Sequence, residues 1–221
     1  MAQCLNDNTV SGQAEALAYP GWQLALKRLI DLIAALVLLV LTSPLWLYLA
    51  VRIRLDSPGP ALFRQIRIGR DGRPYTIFKF RTMVQDAEAI FKPAPRPDED
   101  LENFVYQSED DPRITRVGKL LRKTSLDELP QLLNVLNGEM SLVGPRPEVP
   151  EIVKLYTPEQ WQRLRVLPGI TGLAQISGRS ELTFGETMAY DLEYVRNWSL
   201  GLDLKILWRT VFVVFAGKGA Y

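Results

Sequence analysis

Asp127 and Glu128 stand side by side in RKTSLDELPQLLNVLNGEMSLVGPRP, the stretch from Arg122 to Pro147, with basic residues on both sides of them. Ser125, with Glu128 three residues on, has the spacing of a capping box, and Leu126, Leu129, Leu133 and Leu136 follow at helical intervals. This pattern predicts that the acidic pair opens a helix. Unpaired backbone N–H groups and a partial positive charge there keep a carboxylate ionised and attract phosphate. Arg122 and Lys123 upstream, and Arg146 in the stiff Gly144-Pro145-Arg146-Pro147 turn, suit an anionic ligand. A plain helix cap among surface arginines would have the same residues, and the pattern alone leaves that alternative open.

The chain of 221 residues contains no histidine. That excludes Ser-His and Cys-His triads, histidine metal sites and histidine acid–base chemistry, leaving carboxylates, lysine, arginine and a hard cation as tools. Cys4, the single cysteine, has no partner for an internal disulfide, so nothing points to an oxidising compartment. The net charge of +1 conceals a division, because nine acidic residues but only Lys92 and Arg96 fall between Gln85 and Pro112, and the remainder carries about +8. A basic body implies anionic partners, either nucleic acid or phosphorylated metabolites at a membrane surface. Aromatic and basic residues are not interleaved as a base-stacking platform requires, so no nucleic acid is expected.

Three divisions position these residues: a polar, flexible segment over 1–26, a membrane helix over 27–54 and a domain over 55–221 that carries the acidic pair, the catalytic domain if the pair reacts. The first is not a signal peptide, because its apolar run begins too late and lacks a small-residue cleavage pattern. The run from Leu29 to Val51 is long enough to span a bilayer, since about 20 apolar residues suffice. Ser43-Pro44 interrupts it, and both flanks are basic, with Lys27 and Arg28 before and Arg52 and Arg54 after. A re-entrant helix that breaks at Ser43 and Pro44 and returns to the same side satisfies both features; a tilted span kinked at the proline is the alternative.

Ala61 to Ile68 and Tyr75 to Arg81, separated by Gly69-Arg70-Asp71-Gly72, read as a β-hairpin in which Tyr75, Ile77, Lys79 and Arg81 share one face. The proline-bearing acidic stretch 85–112 reads as loop. Thr115 then caps a short helix with Val117, Leu120 and Leu121 inward and Arg116, Lys119, Arg122 and Lys123 outward. Thr157-Pro158-Glu159-Gln160 starts another helix, and LAQI, from Leu173 to Ile176, reads as a short strand between glycine-rich turns. The segment from Trp198 to Phe215 is too interrupted to span and suits an interfacial helix.

These stretches together resemble the bacterial sugar transferase family, the monotopic phosphoglycosyl transferases that start glycoconjugate assembly. The resemblance is carried by Lys27-Arg28 with Asp31, Ser43-Pro44, FKFRTM at Phe78 to Met83, the block from Asp110 to Glu148, PGITGLAQISGR from Pro168 to Arg179, the segment Asp191 to Val195, and the closing GKGAY. It implies an α+β fold: a mostly helical monotopic membrane protein with a re-entrant membrane helix, a small β-hairpin and interfacial amphipathic helices. It further implies that Asp127 is the nucleophile and a magnesium ligand, with Glu128 beside it to take a proton. Lys79, Arg81, Arg122, Arg146 and Arg179 would hold phosphates or substrate, and Asp191 would serve the site from the far end of the chain. The implied reaction moves a sugar 1-phosphate from a UDP-sugar to polyprenyl (undecaprenyl) phosphate, releasing UMP, among membrane lipids on the cytoplasmic face of the bacterial inner membrane. A non-catalytic membrane scaffold and a UDP-releasing glycosyl transferase are the rival readings. Assembly as a homo-oligomer stays open.

Overall fold

A computed structural model describes residues 19–85, 87, 101–103 and 111–216. The expectations for Cys4, for most of the polar segment and acidic loop, and for GKGAY lie outside the described residues. The rest is α+β. Its longest element, α1 (Gly21–Asp56), has 36 residues and is long and apolar enough to cross a membrane.

Pro44 lies inside α1 without ending it. Proline lacks the N–H that would bond the carbonyl of Val40, but the Ser43 hydroxyl donates to that carbonyl at 2.8 Å, and Thr42 donates to Leu38 O at 2.7 Å. The helix therefore continues where a break at Ser43 and Pro44 was expected. Buried positions cluster at its two ends, Asp31 and Ala35 near one and Leu49 and Ile53 near the other, while Leu36, Val40, Leu41 and Leu47 between them are exposed.

Polar clamps hold both ends on one folded body. At the start, Lys27 pairs with Asp203 at 2.6 Å and donates to Val143 O, Arg28 donates to Leu136 O, and Asp31 accepts from the backbone of Leu142. At the end, Arg81 donates to the carbonyls of Ile53, Ser57 and Pro58, and Asp56 accepts from Val117 N at 2.9 Å. The last carbonyls of one helix and the first N–H groups of another are thus satisfied across elements.

Strands β1 (Leu62–Ile68) and β2 (Pro74–Phe80) form the expected antiparallel hairpin, with Leu62 opposite Phe80 and Ile68 opposite Pro74. Asp71 and Gly72 take positive φ at its tip. Helix α2 (Arg116–Thr124) is capped by Thr115, whose hydroxyl accepts from Gly118 N at 2.9 Å. Leu121 is fully buried but Leu120 is 60% exposed, contrary to expectation. Adjacent helical positions lie about 100° apart, and the Val117–Leu121 row already takes the inner face.

Beyond α2 come α3 (Gln131–Asn137), β3 (Ser141–Val143), α4 (Pro150–Val153) and a 3₁₀ turn over Gln160–Arg165 started by the Thr157–Gln160 exchange. The strand predicted at LAQI is displaced: β4 is Gly169–Thr171, parallel to β3, and Leu173–Ser177 forms helix α5. Gly144 and Gly169 are squeezed backbone to backbone, which sets the strand there. Helices α6 (Phe184–Arg196), opened by a Thr183–Glu186 capping box, and α7 (Leu200–Ala216) complete the body. The core gathers Tyr75, Ile77, Val135, Met140 and Tyr194 around Ala35 of α1.

Candidate active site

The acidic pair occupies a tight turn between two helices. Ser125 ends α2 in the left-handed conformation, φ 55° and ψ 18°, and makes no capping bond through its side chain. Leu126–Glu128 is a single 3₁₀ turn, and α3 begins only after Pro130. Proline suits a helix start because the N–H it lacks is one the helix would leave unpaired. The expected capping box is therefore not formed, and no α-helix N-terminus lies under the pair to keep Asp127 ionised.

Charges from four other places converge on that turn. Lys79 of β2 and Arg146 of the GPRP turn each donate to one oxygen of Glu128 at 3.2 Å. Arg122, from the last turn of α2, is fixed by its bond to the Thr82 hydroxyl at 3.0 Å, and Arg179, just beyond α5, donates to the Ser125 hydroxyl at 2.8 Å. Arg179 itself has a positive φ of 54°, and its other terminal nitrogen is buried without a hydrogen-bond partner. Asp127 has no hydrogen-bond or ion-pair partner among the described residues. Asp127, Glu128, Lys79, Arg122, Arg146 and Arg179 are thus brought together.

The two acids differ in charge state. Burial, and then the neighbouring Glu128, raise Asp127 from the usual 3.8 to about 6, against the pull of Lys79, Arg122 and Arg146. Burial would raise Glu128 as well, but Lys79 and Arg146 outweigh it and hold Glu128 well below the carboxylate range. A carboxylate so firmly ionised is a weak proton acceptor. Glu128 is better suited to fixing the two cations than to the base role that the resemblance implies.

Two expected site residues lie elsewhere. Arg81 follows the last residue of β2, so the alternation that placed it beside Lys79 has ended, and its guanidinium caps the end of α1. Asp191 is fully buried and bonded to Arg163, out of reach of any substrate. Arg163 also donates to the carbonyl of Arg146 at 2.7 Å, and Arg67 donates to that of Pro147 at 3.1 Å, with Glu148 beside both. The carbonyls of the GPRP turn are held from beneath by these arginines, so Asp191 reaches the site only through Arg163. Asn134, also fully buried, bonds both Thr76 O and Phe78 N and holds β2 against α3.

Sequence reasoning missed Arg67, Glu148, Arg163, Thr82 and Asn134. The one local signal was an asparagine on the apolar side of a helix, since a buried amide must find partners. As for a metal, the described residues hold no group of three or more acidic or cysteine side chains. Asp127 and the second oxygen of Glu128 fit the sparser donor set of magnesium, which binds through one or two carboxylates plus substrate phosphates.

An uncommitted carboxylate beneath convergent cations, on a body clamped to an apolar helix, suits phosphoryl chemistry at a membrane. Residues 22–217 match the family described as Bacterial sugar transferase, and the chain belongs to that family. It is 45% identical over 194 residues to the uncharacterized sugar transferase EpsL of Bacillus subtilis, covering 88% of this chain and 89% of that protein. It is 41% identical over 202 residues to the undecaprenyl-phosphate galactose phosphotransferase of Salmonella typhimurium. To the UDP-glucose:undecaprenyl-phosphate glucose-1-phosphate transferase of Escherichia coli it is 43% identical over 210 residues. These last two matches cover 89% of this chain but only 42% and 41% of the relatives, so the chain spans less than half of their length.

Proposed function

We propose that this chain transfers a sugar 1-phosphate from a UDP-sugar to a polyprenyl phosphate through a covalent aspartyl phosphosugar on Asp127. The carrying observation is that Asp127 alone of the pair is uncommitted, while Glu128 is bound to Lys79 and Arg146. An oxygen of Asp127 attacks the sugar-bearing phosphorus, the bond from that phosphorus to the bridging oxygen breaks, and UMP leaves with the electron pair. An oxygen of the polyprenyl phosphate then attacks the same phosphorus, breaking the bond to Asp127 and restoring its carboxylate. Arg122, Arg146 and Arg179 hold the phosphate oxygens in line and balance their charge in each step. Lys79 and Arg146 hold Glu128 by one oxygen and keep it ionised. Asp127 and the second oxygen of Glu128 are the residues that would hold magnesium, which when bound would supply further positive charge at the diphosphate.

The acceptor is a lipid, which accounts for α1. Because both ends of α1 are clamped to one body, a bilayer that takes up its exposed middle leaves both ends on the same face. Basic flanks on both sides of the apolar run favour the cytoplasmic side for that face, which in this reading is the cytoplasmic face of the bacterial inner membrane.

The test is to incubate the protein with a panel of UDP-sugars and magnesium, without lipid. UMP should appear up to about one equivalent, and the intact protein should gain the mass of a phosphosugar, as an accumulating covalent intermediate requires. No adduct, with UMP formed only once lipid is added, would mean direct transfer. UDP in place of UMP would mean a glycosyl transferase.

A further inference from the structure

Away from the acidic pair, a cavity of about 330 Å³ opens between α5, the end of α6 and one flank of α7. Its floor is apolar, with Leu173, Leu202 and Ile206, and its rim carries Lys205, Arg209 and a single carboxylate, Glu193. Among the described residues Lys205 and Arg209 have no ion pair or side-chain hydrogen bond. They lie four apart on α7, where like charges repel. None of the cations around Asp127 lines this cavity.

Helical geometry shows what borders it. At about 100° per residue, Leu204, Trp208, Val211 and Phe212 form one face of α7, and Lys205 and Arg209 form the strip between that face and buried Ile206. The apolar face is open, with Trp208 66% and Phe212 56% exposed. Lys27 of α1 pairs with Asp203 near the start of α7, and Leu207 of α7 packs against the core cluster that also receives Ala35 and Leu39 of α1, so α7 is anchored to the body beside the start of the membrane helix. A bilayer that takes up α1 meets Leu204, Trp208 and Phe212 next. Tryptophan at that depth sits among headgroups, and lysine and arginine stems run along apolar surface with their charge in the polar layer.

We infer that this cavity is a second lipid-phosphate site, which holds the phosphodiester headgroup of an anionic bilayer phospholipid on Lys205 and Arg209, with its glycerol and upper acyl carbons over Leu202 and Ile206. The inference rests on the membrane placement of α1 proposed above, not on the transfer chemistry. Two cations against one carboxylate favour a headgroup with net negative charge over a zwitterionic one.

The experiment uses the full chain in nanodiscs of phosphatidylcholine with a minor share of phosphatidylglycerol, extracted gently, with retained lipids counted by native mass spectrometry. The wild type should retain phosphatidylglycerol several-fold over its share. The double variant Lys205→Gln/Arg209→Gln should lose that preference, Lys205→Arg/Arg209→Lys should keep it, and Glu193→Gln should strengthen it. Unchanged preference in the Gln double variant overturns the site. So does an equal loss in Arg116→Gln/Lys119→Gln, which removes the same charge from α2 and would show that overall charge is being read. Polyprenyl phosphate added to the same discs should be retained equally by wild type and the Gln double variant. A selective loss there would instead make the cavity the acceptor's path. Because every readout is lipid retention, failure of the transferase reading leaves this test intact.

Discussion

Asp127 and Asp191 are the same residue in two settings. Burial raises the pKa of both, and both lie close to arginines. Asp191 has Arg163 directly on it and no exposed surface, so the fold has already answered its charge. Asp127 sits in the field of Lys79, Arg122 and Arg146 without touching any of them. The difference separates a group that holds the site from a group that can react. The bonded guanidinium takes only one oxygen of Asp191, but with no exposed surface the other cannot be reached by an incoming phosphorus, whereas Asp127, part-exposed and stabilised at a distance, keeps its oxygens available.

The largest expected effect breaks the comparison at Asp127. Asp127→Asn should lower turnover by roughly a thousandfold or more, as loss of a nucleophile does, and abolish the protein adduct in mass spectrometry. Its effect on stability should have the opposite sign. The pKa of Asp127 is raised by folding, so its contribution to stability is present below its unfolded pKa and lost as pH rises through about 6. At neutral pH the ionised side chain is therefore a burden, and the variant should melt at the same temperature as wild type or above it. A variant that melts lower would show that Asp127 is structural.

Next is Asp191→Ala, which leaves the Arg163 guanidinium buried without its counter-charge. Removing one partner of a buried pair costs about 3–5 kcal/mol, so the melting transition should fall sharply. A variant that keeps its melting temperature but loses turnover would place Asp191 among the reacting groups after all.

Glu128→Gln sharpens the electrostatic half of the comparison. It frees Lys79 and Arg146 from hydrogen bonds to a charged acceptor worth about 1.5–3 kcal/mol, so transfer should slow by about tenfold to a hundredfold. The pH profile should also move. In the wild type the lipid-free burst should rise as Asp127 ionises, around pH 6. Without the negative neighbour Asp127 ionises more readily, and the midpoint should shift to lower pH. A midpoint that stays fixed would assign the profile to another group.

The smallest effect is expected at Arg81. Arg81→Lys retains a cation but loses the fork that spans three carbonyls at the end of α1, so the melt should drop modestly while turnover stays within about threefold. A large change in the KM for UDP-sugar would return Arg81 to the substrate site.

Much of the fold follows from local pattern. Alternating residues around GRDG fixed the hairpin, hydropathy fixed α1, and Thr115 and Thr157 marked two helical starts, because each signal lies within a few residues. The acidic pair and its cations were legible as types and, through family resemblance, as a set. What local pattern misjudged were competitions between short-range options. Ser125 could cap the helix after it or end the one before it. Burial of Leu121 and the start of α3 beyond Pro130 chose the second. Arg81 had a strand face and a helix end within reach, and three unpaired carbonyls outweighed the alternation.

The sequence by itself determined that an acid pair stands amid cations in a chain with no histidine and with one long apolar run. Tertiary structure decided which acid is left open. Glu128 is claimed by residues 49 positions before it and 18 after, Asp191 by one 28 positions before it, and Asp127 by none among the described residues. Such long-range ion pairs leave no periodicity in the chain, because they are selected by where packed elements meet and not by spacing along any one of them.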